Sequence, residues 1–277
     1  MTIGQVYTVR GQTASVKVEN GFIECGLRGV LRKNSPVTGD FVFLDEQNRI
    51  CGIEQRKSFF TRPNVANVDY VNVVIAPEPK PDFSVVDKML ANIVKGGAKA
   101  VITVNKIDIR ALDIQSTYSG AVEKIFEVSS VTGENIAELK KFLVGKTVAF
   151  SGQSAVGKTS ILNALFGENF KVGEISEKIL RGKNTTTSAY IYEKDDIKVV
   201  DTPGFTALVS DGIDCKNLKE YYPEFIGFPC FYSDCVHVNE PDCGVKEAVN
   251  NGLISKGRYD GYVKLYYEIK NTKNRGT

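Results

Sequence analysis

SGQSAVGKTS, residues 151–160, decides the fold. Gly152, Gly157, Lys158 and Thr159 stand at the GxxxxGK[ST] spacing, with the apolar run KTVAF in front and TSILNALFG, a helical pattern, behind. Strand, glycine loop and helix in that order are the context in which the spacing has a mechanism. Across Gly152, Gln153, Ser154, Ala155, Val156, Gly157, Lys158, Thr159 and Ser160, glycines let backbone N–H groups wrap a phosphate, and the helix N-terminus favours its charge. Lys158 would reach the β- and γ-phosphates, and the Thr159 hydroxyl would ligate Mg2+. Some forty residues on, DTPG at 201–204 ends the run IKVV, which puts Asp201 where it can hold Mg2+ through water and the Gly204 amide where it can meet a γ-phosphate.

A phosphate loop does not choose a base. That choice is written upstream, in VITVNKID, where Asn105, Lys106 and Asp108 end a second apolar run. In an NKxD arrangement the Asp carboxylate accepts from guanine N1 and N2, the Lys stem covers the ring and the Asn braces neighbouring loops. Adenine offers an acceptor at N1 and no 2-amino group, so Asp108 disfavours it. VSSVTG at 128–133 follows a short strand and is similar to the loop whose backbone amide meets guanine O6, with Ser129 and Ser130 at its centre. The base reader thus precedes the phosphate cradle, the reverse of the ordinary order. A circular permutation accounts for this, because a site assembled in space survives moving the chain ends.

Outward from this core the texture changes twice. Residues 1–64 hold short runs, QVYTV, ASVKVE, FIECGL, DFVFLD and RICGIE, broken by turn residues, the pattern of a small five-stranded barrel of OB type or SH3-like type. Residues 65–211 alternate apolar strands with helical stretches, as in a mostly parallel α/β sheet. Residues 212–277 are rich in Cys early and helical in period afterwards. There Cys230, Cys235, His237 and Cys243 form C-x4-C-x-H-x5-C and include the only histidine of the chain, a ligand set for one tetrahedral, structural Zn2+. Cys25, Cys51 and Cys215 read as ordinary thiols. Lys256, Arg258, Tyr259, Tyr262, Lys264, Tyr266 and Tyr267 fit two readings, a basic aromatic surface for RNA or a helix with its rings in the core.

The bulk numbers exclude little. With 277 residues, 42% hydrophobic and 25% charged, the chain is that of an ordinary multidomain globular protein. No run is long enough to span a bilayer and MTIGQVYTVR has no signal-peptide core, so the cytosol is expected. The net charge of +2 is too mild to identify a nucleic-acid partner, although residues 1–64 carry nine Lys/Arg against six Asp/Glu.

Together, the barrel, RPNVANVDYVNVVIA (62–76), NKID, SSVTG, GQSAVGKTS, RGKNTTT (181–187), DTPGF and the Cys/His end resemble the circularly permuted GTPases of the RsgA (YjeQ) type, which act in maturation of the small ribosomal subunit. The resemblance implies an OB-type barrel (1–64), a circularly permuted P-loop GTPase domain (65–211) and a zinc-binding helical domain (212–277). It also implies GTP/GDP, Mg2+ and one Zn2+ as cofactors, the small (30S) subunit and its rRNA as partner, no membrane, a monomer in the cytoplasm, and hydrolysis stimulated by the subunit in late maturation. The alternatives are a nucleotide-regulated rRNA-binding or chaperone module with vestigial hydrolysis, and an ATP-dependent P-loop enzyme, which NKID disfavours.

Two positions depart from the family. Ala155 stands where Gly is common, tolerable if the backbone angles there are ordinary, and Asn184 stands where a His usually precedes the Thr run. Lys158, Asn184, Thr185 and Thr186 are the candidate catalytic residues, with Thr185 or Thr186 closing on Mg2+. Phe205 follows Gly204, where many GTPases carry a water-orienting Gln, and its ring can neither donate nor accept a proton. Slow hydrolysis by the isolated chain is the expectation.

Overall fold

The computed structural model describes residues 2–27, 35–168, 189–201 and 213–273. The five early runs become β1 (Thr2–Arg10), β2 (Thr13–Val18), β3 (Gly21–Leu27), β4 (Phe41–Leu44) and β5 (Arg49–Ile53). Their inward residues, among them Val6, Val16, Cys25, Val42, Leu44 and Ile50, close one apolar core. Pairing runs β1-β2-β3-β5-β4, and β4 returns to β1, so the ring is closed. All of its pairs are antiparallel except β3 with β5. One parallel pair in a closed Greek-key ring is the OB-type arrangement and decides against the SH3-like alternative.

A short hairpin, β6 (Phe59–Thr61) and β7 (Asn64–Ala66), leads out of the barrel. The α/β part follows: β8 (Tyr70–Ile75), α1 (Phe83–Lys95), β9 (Lys99–Val104), the single turn α2 (Gln115–Tyr118), β10 (Lys124–Glu127), α3 (Ile136–Leu143), β11 (Thr147–Ser151), α4 (Lys158–Phe166), β12 (Tyr190–Lys194) and β13 (Ile197–Asp201). Strand order is β10-β9-β8-β11-β13-β12. All neighbours are parallel except β12 with β13. Every residue of β8 is buried, as in a strand covered on both faces. Val71, Val73, Ile75 and Ile102 pack under α1, while Val101, Val148 and Phe150 pack under α3 and α4.

β12 was not foreseen. It turns into β13 through Asp195 and Asp196, both at positive φ (53° and 57°), the geometry of a type I′ hairpin without its usual glycine. Nor does β12 end the sheet, because β1 of the barrel pairs with it at Thr8–Tyr190. Polar contacts reinforce that seam: Lys17 pairs with Glu193 at 2.6 Å, the Tyr7 hydroxyl donates to Glu193, and the Thr38 hydroxyl donates to Ala189 O at 2.9 Å.

The C-terminal part comprises two 3-10 turns (Leu218–Tyr221 and Pro223–Phe225), α5 (Gly244–Asn250) and α6 (Lys256–Lys273). Tyr222, Phe225, Val245, Tyr262 and Leu265 share a core with Ala91 of α1. At that junction Arg258 is 1% exposed. Its guanidinium donates to Asp87 of α1 and, at 2.6 Å, to Glu224, and lies 4.1 Å from the Tyr222 ring centroid. The Tyr118 hydroxyl also donates to Asp87, at 3.1 Å. Of the tail residues, Tyr262 and Tyr266 lie in the core as the core-helix reading expects, Arg258 is buried with them although a charge is expected in water, Tyr259 is half-buried, and Lys256, Lys264 and Tyr267 are exposed. Among the described residues no helix is long and apolar enough to cross a membrane.

Candidate nucleotide site and metal centre

The parallel strands β8, β9, β10, β11 and β13 all present their C-terminal ends at one edge of the sheet, where open α/β sheets bind ligands. The loop after β11 needs its glycines there. Gly152 (φ 134°) and Gly157 (φ 94°) hold left-handed-side backbone, and a Cβ on them would come 2.1 Å from Val74 O and 2.2 Å from the Asn105 side-chain amide. Ala155 also sits at φ 64°, so its backbone is not ordinary. An Ala methyl in that region strains the loop by about 1 kcal/mol relative to Gly. α4 starts at Lys158 behind Gly157, which has no side chain to cap the first N–H groups, so that end of the helix suits an anion. The Lys158 ammonium donates to its own loop, to Gly152 O at 2.8 Å and Gln153 O at 2.7 Å. Burial lowers its pKa from the ordinary value, an added reason for it to seek a phosphate.

Asn105 joins the base loop to the phosphate loop. It is fully buried, its amide donates to Val156 O at 3.0 Å, and its carbonyl oxygen accepts from Ser130 N–H at 3.0 Å. Lys106, at φ 64°, donates from its ammonium to Ala155 O at 2.8 Å and Glu78 O at 2.7 Å. The Ser129 hydroxyl donates to Asp108 and accepts from Thr132 N–H at 3.1 Å. Asp108 is exposed, with its second carboxylate oxygen left for a ligand. Residues more than fifty positions apart in sequence are thereby brought into one site. The Glu78 carbonyl was missed by sequence reasoning because a backbone acceptor leaves no side-chain signature. Thr159 follows Lys158 on the first turn of α4, half-buried, and Asp201 ends β13 at the same edge. Ser154 and Ser160 are exposed, Gln153 is half-buried and Val156 is buried in the core beneath the loop. Asn184, Thr185, Thr186, Gly204 and Phe205 lie outside the described residues.

The four metal candidates also converge. Their ligand atoms lie within 4.8 Å of one another. His237 Nδ1 is 3.4 Å from each of the Cys230, Cys235 and Cys243 sulfurs, and the Cys230 and Cys243 sulfurs are 3.8 Å apart. A tetrahedral Zn2+ with bonds of about 2.3 Å to sulfur and about 2.05 Å to nitrogen requires edges of about 3.8 and about 3.6 Å, so the set fits the ion. Burial lowers the His237 pKa, which keeps the imidazole neutral and competent to ligate. Outer contacts hold the loop: Tyr259 and Tyr262 hydroxyls donate to His237 O (2.8 Å) and Val236 O (2.6 Å), and Glu240 accepts from the Val236 and Val238 N–H groups. With four ligands and no open position, the centre is structural. Replacing Cys235 by Ser is expected to reduce bound zinc from about one equivalent to near none and to loosen 213–273 while GTP binding persists, since none of the four ligands bonds to the described nucleotide loops. Metal analysis beside a GTP titration checks this, and a folded wild-type protein without zinc in chelator-free buffer would refute it.

Comparison with known proteins agrees. A model of the RsgA GTPase family matches residues 53–210. The small ribosomal subunit biogenesis GTPase RsgA of Thermotoga maritima is 41% identical over 263 residues, covering 89% of each chain. The protein of that name from Agathobacter rectalis is 38% identical over 284 residues, covering 96% of this chain and 94% of that one. The crystal structure of YjeQ from Thermotoga maritima superposes with a TM-score of 0.84 at 37% identity, covering 97% of this chain and 98% of that one. The crystal structure of YloQ, a circularly permuted GTPase, superposes with a TM-score of 0.78 at 26% identity over 98% and 96%. With the loops at 105–108, 128–133 and 151–160 gathered at one sheet edge, and with this kinship along nearly its whole length, the chain belongs to the RsgA GTPase family and is a GTP-hydrolysing enzyme.

Proposed function

We propose that this enzyme uses GTP hydrolysis in the biogenesis of the small ribosomal subunit, working in the cytoplasm as a monomer with no membrane partner. One observation carries the nucleotide half of the reading: buried Asn105 bonds to Ser130 and to Val156 at once, tying the base loops to the phosphate loop. The names of the relatives carry the ribosomal half.

In this reading Asp108 accepts from the guanine edge with the oxygen that Ser129 leaves open, and Lys106, anchored to Ala155 O, covers the base. Lys158 exchanges its two loop carbonyls for β- and γ-phosphate oxygens. Thr159 and, through water, Asp201 would hold Mg2+, which would neutralise charge developing on the phosphates. Thr185 or Thr186 closes on the γ-phosphate, the Gly204 amide meets it, and Asn184 orients water without acting as a base. The working units are the barrel 1–64, the GTPase domain 65–211 and the zinc end 212–277. Phe231 and Tyr232, 79% and 42% exposed between two zinc ligands, support contact of that end with unstacked rRNA bases. Sedimentation with small subunits under GTP, GDP and a non-hydrolysable analogue tests the reading. Cosedimentation with the analogue and release with GDP are expected, and absence from the subunit fraction under all three would overturn it.

A further inference from the structure

We propose that the Tyr190 hydroxyl is a positioning group for Asp201, donating a hydrogen bond to its carboxylate when nucleotide and Mg2+ are bound. This rests on the reading of Asp201 as the Mg2+-side carboxylate. Tyr190 opens β12 and is the direct cross-strand partner of Asp201, which closes β13. Directly opposed residues project from the same face of a sheet with Cβ atoms about 5 Å apart. That face is the one under α4: the Tyr190 ring, 7% exposed, shares a core with Ile197, Val199, Leu162 and Leu165.

Its height along α4 follows from its neighbours. Two residues further on, the Tyr192 ring meets Phe166 edge-on with centroids 5.4 Å apart, and beyond it Lys194 donates to Phe166 O at 2.9 Å. A two-residue step along a strand is about 6.6 Å. On a helix that distance is about four residues. Tyr190 therefore stands level with Leu162, one turn from Thr159 at the mouth of the site.

The hydroxyl at that height is buried and has no hydrogen-bond partner among the described residues. A phenylalanine would fill the same space without leaving a buried polar atom unpaired, so the oxygen calls for an explanation. Tyr192, on the same strand face, has one: its hydroxyl donates to Glu168 at 2.9 Å. A phenol is protonated at neutral pH and so able to donate. A donor on one carboxylate oxygen fixes the rotation of the other toward the metal-bound water, which is how outer partners tune a metal site.

The test is Tyr190→Phe, read by Mg2+ titration of a fluorescent GDP analogue. Removing an unpaired hydroxyl leaves the ring packing intact, so the nucleotide-free melting temperature should stay level or rise, and analogue affinity in EDTA should be unchanged. The Mg2+ concentration for half-maximal binding should rise about tenfold. Tyr192→Phe, which removes the same atom two residues away, should leave the titration in place, and Asp201→Asn should shift it. Wild-type Mg2+ dependence in Tyr190→Phe alongside a shift in Asp201→Asn overturns the role of Tyr190 and leaves the reading of Asp201 standing. No shift in either removes the reading of Asp201 as well, and an equal shift in Tyr192→Phe shows a packing effect and overturns the proposal.

Discussion

Asp108→Asn is expected to weaken GTP binding by at least about a hundredfold and to move preference from GTP to XTP. The carboxylate accepts from two donors on the guanine edge, and an amide can match only one of them while setting its own N–H against the other. Xanthine carries an oxygen at that second position and restores the pair. The Ser129 hydroxyl holds one Asp108 oxygen, and an Asn Oδ1 can take the same bond, so the loop should keep its shape. Asp108 is exposed, which keeps the fold out of the result. Competition among GTP, XTP and ATP for one site decides the matter, and a variant that still prefers GTP means that the base is read elsewhere.

Arg258→Met should cost about 3–5 kcal/mol of stability at neutral pH, because it leaves two buried carboxylates without their hydrogen-bonded guanidinium, and only the more distant Lys264 still attracts Asp87. Asp87 and Glu224 come from opposite sides of the junction between α1 and the C-terminal part, so docking of that part should suffer first. The pH dependence carries a sign. Burial already raises the Asp87 pKa against the pull of Arg258, and without the guanidinium the rise is larger. A carboxyl whose folded-state pKa lies above its unfolded value binds more protons when folded, so stability falls as pH rises through that window. The deficit of the variant should therefore shrink as the pH is lowered from 7.5 toward 5.5. Denaturant unfolding at both values measures it, and a loss under about 1 kcal/mol at pH 7.5 would mean that the cluster does not hold the junction.

Much of this was legible in sequence because the chemistry needs fixed residue types at fixed local spacings. The loop at 151–160, NKID, SSVTG and the Cys/His set are contiguous or nearly so, and the structure brings each of them to its expected element or cluster. The barrel strands showed the two-residue alternation of half-buried sheet. What stayed hidden was non-local. Arg258 falls on the buried stripe of α6 with Tyr262, Leu265 and Ile269, but its partner Asp87 is 171 residues away, so the sequence offered a cation among tyrosines and two ways to read it. The seam of β1 with β12 likewise rests on one cross-strand pair, on the Thr38 bond to Ala189 O and on Glu193, whose neighbours in sequence suggest only a solvated strand end. The angles of Ala155 and Lys106 could not be inferred either, since both residue types usually avoid positive φ.

The central claim is that the chain binds GTP but orients the attacking water only weakly, with Asn184 and Phe205 in place of a His or Gln, and that the small ribosomal subunit completes the catalytic site. Single-turnover hydrolysis of GTP, by the protein alone and with saturating small subunits, tests this most directly. The account predicts slow turnover alone and acceleration of at least about a hundredfold with subunits, within the range by which activating partners act on other GTPases. Fast hydrolysis without subunits, or a rate that subunits leave unchanged, would contradict it.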